Sequence, residues 1–413
     1  MTFPSYRLFQ VLFLLAIVTD AIIGAELGFV FSAIFVIFMI FLPVPEMKFS
    51  GGLIWWPFIA TSILSLLVGI VSFDLISVVK DAWYFYKPLI YFWMGLGLFR
   101  LFSLKRICFI VVGLAILVSA LYIMPILMDG DWADMSPGEL RDKYGQGSYI
   151  FVLGICLIWV HREKRHFSII DWGMSGILLL AIILSSSRIM LLFLLIFCCI
   201  SFYPRIFDKK YLQSVIVLVL ILSAIPRFDY INTKGSTETF MDKVMFSLSE
   251  IRPQFYLLDS DIHTHWRGYE TFKGIGHYLD GEDGDIVFGR GFGAHVPIDF
   301  PKRTRTSDET VYSLEWLHNG YVTILLKSGM LGLFCFLYLL YRLYHQFPLG
   351  RSRVDKLYRF LLILILISTY FLGGYFNKND VMIPFVLLGY FYMNLATVNK
   401  LKASQGLILT NSK

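Results

Sequence analysis

Three short stretches carry residues whose types and spacing could do chemistry. Ser185-Ser-Ser-Arg188 sits between two apolar runs. His265-Trp-Arg267-Gly-Tyr-Glu270 precedes Phe288-Gly-Arg290-Gly-Phe-Gly293 by about five helical turns of chain. Trp316-Leu-His318-Asn319 opens a segment that runs through Lys327-Ser328-Gly329 to Gly332. Arginine presents a fixed fork of donors that matches phosphate oxygens, so Arg188 is a candidate anion ligand. Histidine is the commonest general base, which makes His318 a candidate for proton transfer.

Each stretch also has a plainer reading. A lone arginine at a helix end can snorkel to lipid head groups. Arg267 and Glu270 are three residues apart and can pair on one helix face. The glycines around Arg290 follow no strand–helix alternation, so a dinucleotide fingerprint is excluded, and a tight turn or close backbone approach remains. Asn319 or His318 can cap the helix that follows. Ser328, Gly329 and Gly332 suit close helix packing. His263 and His265 are too short a signal for a metal site. The five cysteines lie inside apolar runs without a CxxC pair, and packing explains them.

The elements that must position these residues follow from composition. Hydrophobic residues make up 57% of the 413 and charged ones only 16%, with a mean hydropathy of +0.67. Soluble domains carry about 25% charged residues, so much of this surface must face lipid. The net charge of +6 comes from basic residues at the ends of apolar runs, which argues for membrane topology and against nucleic acid. Apolar segments near the length needed to cross hydrocarbon fall at 7–24, 26–45, 53–73, 86–101, 106–128, 147–161, 168–186, 189–204, 211–226, 328–346, 357–373 and 380–399. The expected fold is an all-α polytopic membrane protein of about twelve spans. The first span lacks a small-residue cleavage site and leads straight into the next, so it reads as an anchor.

Alternate loops sort by charge. Arg100 to Arg106, His161 to Arg165, Pro204 to Lys210 and Arg351 to Lys356 are basic; Asp129 to Asp134, Ser185 to Arg188 and Gly373 to Asp380 are not. The first set is cytoplasmic by the positive-inside rule, and both termini fall on that side. The segment from Arg227 to Leu317 falls outside, with 15 acidic and 10 basic residues. Its aromatic residues suggest short helices packed on the outer face of the bundle. The chain then divides into helices over 1–226, a large periplasmic loop over 227–327, and helices with a cytoplasmic tail over 328–413.

Ser-Ser-Arg at the outer end of a mid-chain span, Arg-Gly-Tyr and Gly-Arg-Gly-Phe-Gly in a long outer loop, then His-Asn ahead of Lys-Ser-Gly-Met-Leu-Gly resembles the O-antigen polymerase/ligase family. Its members are multi-span bacterial glycosyltransferases of GT-C type. The motif-bearing likeness covers roughly residues 170–345. It implies that Arg188 and Arg267 hold a lipid-linked diphosphate and that His318 serves the acceptor side. Asn319 and Gly289 through Gly293 match shape-setting parts of the pattern. Arg290, Gly291, Gly293, Asn319 and Lys327 are expected at the substrate. Lys327 departs from the acidic residue of the ligase branch, which favours a polymerase. The implied substrate is an undecaprenyl-diphosphate-linked oligosaccharide in the inner membrane, with a flippase and a chain-length regulator as partners. Transfer needs no cofactor and no metal, because diphosphate already activates the sugar. A ligase to lipid A–core, a peptidoglycan-type polymerase and a lipid-glycan transporter are the rival readings; Asp20, Glu26 and Asp74 keep transport open.

Overall fold

The computed structural model describes residues 3–41, 52–129, 147–161, 168–185, 187–202, 265–303, 310–347, 352–376 and 381–404, with positions 135, 140, 143–144, 253–254 and 262. The expected span 211–226, the basic stretch 204–210 and His263 lie outside these residues.

The fold is helical. The first half holds α1 (Phe3–Ile22), α2 (Ala25–Phe41), α3 (Trp56–Ser72), α4 (Leu75–Leu101), α5 (Leu104–Asp129), α6 (Ile150–His161), α7 (Ile169–Leu184) and α8 (Arg188–Phe202). Then come α9 (Trp266–Leu279), α10 (Asp283–Phe288), an antiparallel pair of strands β1 (Val296–Arg303) and β2 (Thr310–Leu314), and α11 (Gly320–His345), α12 (Arg353–Leu372) and α13 (Met382–Ser404). Several starts are set by side chains that satisfy the free N–H groups of a first turn. Ser168 with Asp171, and Ser352 with Asp355, form reciprocal capping boxes at α7 and α12. Asp74 caps α4 through Ser77 N–H.

Among the described residues, three helices are long and apolar enough to cross a membrane: Leu104–Asp129, Gly320–His345 and Met382–Asn399. Many helices are apolar on both faces. In α1, Phe9, Phe13 and Ala16 are buried while Leu8, Val11, Leu15 and Ile22 are exposed. Such an outer surface needs an apolar solvent. Interior hydroxyls turn back on their own helices, as Ser32 does to Gly28 O and Thr369 to Ile365 O, so no donor is left in the apolar interior at those positions. At the α4–α13 crossing, Gly95 touches the backbone at Val386 and Gly389 touches that at Phe92.

The bundle has two chemically different ends. At one, Arg353 donates to Trp159 O, Lys356 to Ser201 O and Arg359 to Phe347 O. At the other, Gly373 N–H donates to His318 O, and Phe292 N–H reaches Ser65 O in the second half of α3.

Three expectations change. The span 86–101 belongs to a helix that starts at Leu75, because Asp74 caps it there and its charged residues Asp81 and Lys87 are buried. The helix expected from 328 begins at Gly320 and is broken at Gly329. The segment 227–327 holds a β-hairpin as well as short helices, with an irregular register between Pro297 and Lys302.

Candidate functional site

Helix α9 carries the second motif. Arg267, Glu270, Gly274 and His277 recur at helical spacing and form one stripe. Gly274 lies against Leu317 and Val322, so the helix approaches the start of α11 closely. On its other flank Tyr269 is buried and hydrogen-bonds Asp299 of β1, and Lys273 pairs with Asp299 at 2.8 Å. The hairpin and the first half of α11 thus hold α9 from two sides.

His318 is where three elements meet. Its Nδ1 lies 2.6 Å from Glu270 Oε2, and its backbone N–H donates to the same oxygen at 3.2 Å. Its carbonyl accepts from Gly373 N–H at the end of α12, where Gly373 takes the left-handed conformation. The next residue, Asn319, is buried and caps α11 by accepting from Tyr321 and Val322 N–H. Its side-chain oxygen is therefore committed to the backbone. The imidazole remains 44% exposed above a Glu270 side chain that is 4% exposed.

The Gly-Arg-Gly-Phe-Gly turn has a different job. Gly329 (φ 65°, ψ −170°) breaks α11, in a backbone region that only glycine adopts freely. The carbonyls of Leu326 and Lys327, just before the break, accept from Arg290 and Gly291 N–H at 2.8 and 3.2 Å. Phe292 N–H goes to Ser65 O and Gly293 N–H to Asp81 Oδ2. Four consecutive donors are therefore bound within the protein, and this turn is no phosphate cradle. Gly289, Gly291 and Gly293 all have positive φ, and a Cβ on Gly289 or Gly291 would strike the backbone of α11 or α3. Gly291 and Gly293, expected at the substrate, are both buried joints between α3, α4 and α11.

Lys327, also expected at the substrate, is enclosed as well. Its side chain is 0% exposed and pairs with Asp81, which is 2% exposed. The ammonium also donates to Ala294 O at 3.2 Å and lies 4.7 Å from the ring centre of Trp316. No substrate reaches a cation so enclosed. Arg290, expected at the substrate, has its Nη1 3.0 Å from His277 Nε2 and its Nε 3.8 Å from Asp285. Burial, and next the Arg290 charge, hold His277 below the usual histidine value.

Arg188 is the first residue of α8. Helices α8 and α12 run antiparallel, with Lys356 on Ser201 and Phe360 on Phe197 at 5.2 Å between ring centres. The same register places Arg188 level with Thr369, which abuts Gly320. Arg188 thus lies at the His318 end of the bundle. Arg267 lies one turn before Glu270 on α9. The structure therefore brings His318, Glu270 and Arg267 to one region and Arg188 to the same end. It assigns Arg290 to a neighbouring cluster, and Lys327, Gly291, Gly293 and Asn319 to the scaffold.

The sequence reading missed the link between Glu270 and His318, and it missed Asp81 altogether. No local signal joins residues 48 or 246 positions apart. Among the described residues, no group of three or more His, Cys, Asp or Glu could hold a metal ion. No protein-family model matches the chain, and no curated protein matches it.

Proposed function

We propose that this chain is a surface-polysaccharide polymerase of the O-antigen type, a GT-C-like membrane glycosyltransferase. On this reading about twelve spans cross the bacterial inner membrane with both termini in the cytoplasm. The chain joins undecaprenyl-diphosphate-linked repeat units at the periplasmic face, with inversion at the anomeric carbon.

One observation carries the reading: a half-exposed imidazole is fixed by a buried carboxylate, one helical turn from Arg267. His318 takes the proton of an acceptor hydroxyl as its oxygen bonds to the anomeric carbon. The bond from that carbon to the diphosphate oxygen breaks, and the electron pair leaves with the lipid diphosphate. Arg267, with Arg188 at the same end, offsets the charge growing on the leaving oxygens. The diphosphate supplies the driving force, so no nucleotide takes part.

A strain lacking this chain, complemented with wild type, His318→Ala or Arg267→Ala, tests the proposal by lipopolysaccharide gel. Both variants should leave lipid A–core bearing a single repeat unit, with polymer formation down by about 10²–10⁴-fold for His318→Ala. Near-normal polymer from either variant overturns that residue's role. Bare core with long glycan retained on the carrier lipid assigns a ligase instead. Repeat units stranded on the inner leaflet assign a transporter.

A further inference from the structure

We infer that Glu270 is a positioning residue for the transfer reaction, one that makes His318 Nε2 the reacting atom without itself touching substrate. This inference rests on the proposed role of His318 as the base. Its physical basis is the asymmetry of the pair. Glu270 Oε2 accepts from two groups of the same residue, the backbone N–H of His318 at 3.2 Å and the Nδ1 side of its ring at 2.6 Å. A carboxylate accepts and does not donate, so Nδ1 carries the ring proton. In the neutral ring Nε2 is then the lone-pair nitrogen, on the ring that reaches solvent.

Burial separates the two roles. At 4% exposure the Glu270 side chain has no approach for a sugar hydroxyl, while the imidazole above it is 44% exposed. The mount is also stiff. Gly373 N–H holds the His318 carbonyl, and the Asn319 cap fixes the start of α11 directly after it. A ring pinned through Nδ1 and through its backbone on both sides cannot turn Nδ1 toward the acceptor. In the transfer step the acceptor O–H proton passes to Nε2. The carbon–oxygen bond forms as the anomeric carbon's bond to diphosphate breaks. The Glu270 oxygen at Nδ1 stabilises the resulting imidazolium, and the proton later leaves to water from the exposed edge. A pair with two open members could act with either as the base; this one cannot.

Two measurements on the full-length protein test the assignment. The first needs no variant: nitrogen-15 spectra of histidine-labelled wild type, with the His318 signal assigned by its loss in His318→Ala. In the pH range where the ring is neutral, they should show the proton on Nδ1 and none on Nε2. The opposite tautomer, or an even mixture, overturns the inference. The second compares wild type, Glu270→Gln and Glu270→Asp on lipid-linked repeat unit extracted from a strain lacking this chain. Glu270→Gln should lower kcat by about 10²-fold or more with KM for that lipid changed less than about threefold. Glu270→Asp should recover part of the loss, since it restores an acceptor on a shorter arm. Equal falls in kcat/KM and thermal stability across both variants, with KM rising, indicate a merely structural carboxylate and overturn the inference. The proposal of His318 as base fails separately, and only if His318→Ala itself stays active.

Discussion

Glu270 with His318 and Asp81 with Lys327 are two carboxylate-centred pairs whose partners stand nine positions apart in the chain, about 13 Å along a helix. Each joins α11 or the residue before its cap to a distant helix, and each has a carboxylate under 5% exposed. They differ in the carboxylate's partner. Lys327 is sealed, with its ammonium shared among Asp81, Ala294 O and the face of Trp316. His318 keeps one side of its ring in the open. Charged residue type therefore says little about chemistry at this end of the bundle. A pair with one open member can exchange protons with a substrate, whereas a pair closed on both sides can only fasten backbone to backbone.

The sharpest way to break that comparison is to remove Lys327. Lys327→Ala leaves Asp81 buried without its cation, and a buried pair broken on one side costs about 3–5 kcal/mol. The variant should melt far below wild type in detergent. Lys327→Met with Asp81→Leu should recover only part of the loss, because Gly293 N–H and Ala294 O then lose their partners. Both variants should retain wild-type turnover per folded molecule at low temperature. A folded Lys327→Met, Asp81→Leu protein without activity would transfer this pair from the scaffold to the chemistry.

Smaller effects sharpen the scaffold side. Gly329→Ala puts a side chain in a backbone region costing on the order of 1–3 kcal/mol, and its Cβ would press on Val287 O and Gly289 N. The turn at 289–293 should become sensitive to protease before the bundle unfolds. Gly276 lies in α9 with nothing within 4 Å of an added Cβ, so Gly276→Ala should raise stability by about 0.4–1 kcal/mol. The contrast tests whether position in the turn, rather than glycine content, sets the cost.

How far the sequence discloses this arrangement depends on the range of the contact. Asn319 as a cap is local and legible from residue type, as are the glycines of 289–293 as a turn of close approach. The apolar runs mark the helices, but a hydropathy reading discards residues 75–85, because Lys80 and Asp81 mask a helix whose charges are paired. The hairpin escapes because Pro297 and Pro301 argue against a strand in a run, Val296 to Pro301, whose alternation is otherwise intact. Glu270 is visible in sequence only as a neighbour of Arg267. Its bond to His318 depends on Gly274 letting α9 close on residues 317–322, which is a fact of packing.

The opposite end of α9 offers the smallest effect and the closest internal control. There His277 Nε2 stands 3.0 Å from Arg290 Nη1, and a guanidinium can only donate, so the bond requires a neutral ring. Burial lowers the His277 value from the usual 6.5, Arg290 lowers it further and Lys273 adds to this, while Asp280 and Asp285 oppose them. The unfolded chain therefore binds a proton that the folded one resists. The stability from this contact is complete above pH 6.5 and is lost as pH falls from there through the lowered folded value. Amide exchange over 277–289 should speed up between pH 7.5 and 5.5, after correction for intrinsic rates, and His277→Gln should flatten that dependence. Exchange at the Lys327 contacts should not follow the same profile, since the sealed pair lies on α4 and α11 rather than on α9. If both regions loosen together on acidification, the two ends of this site are one cooperative unit, and the division between an open pair and a closed one does not hold.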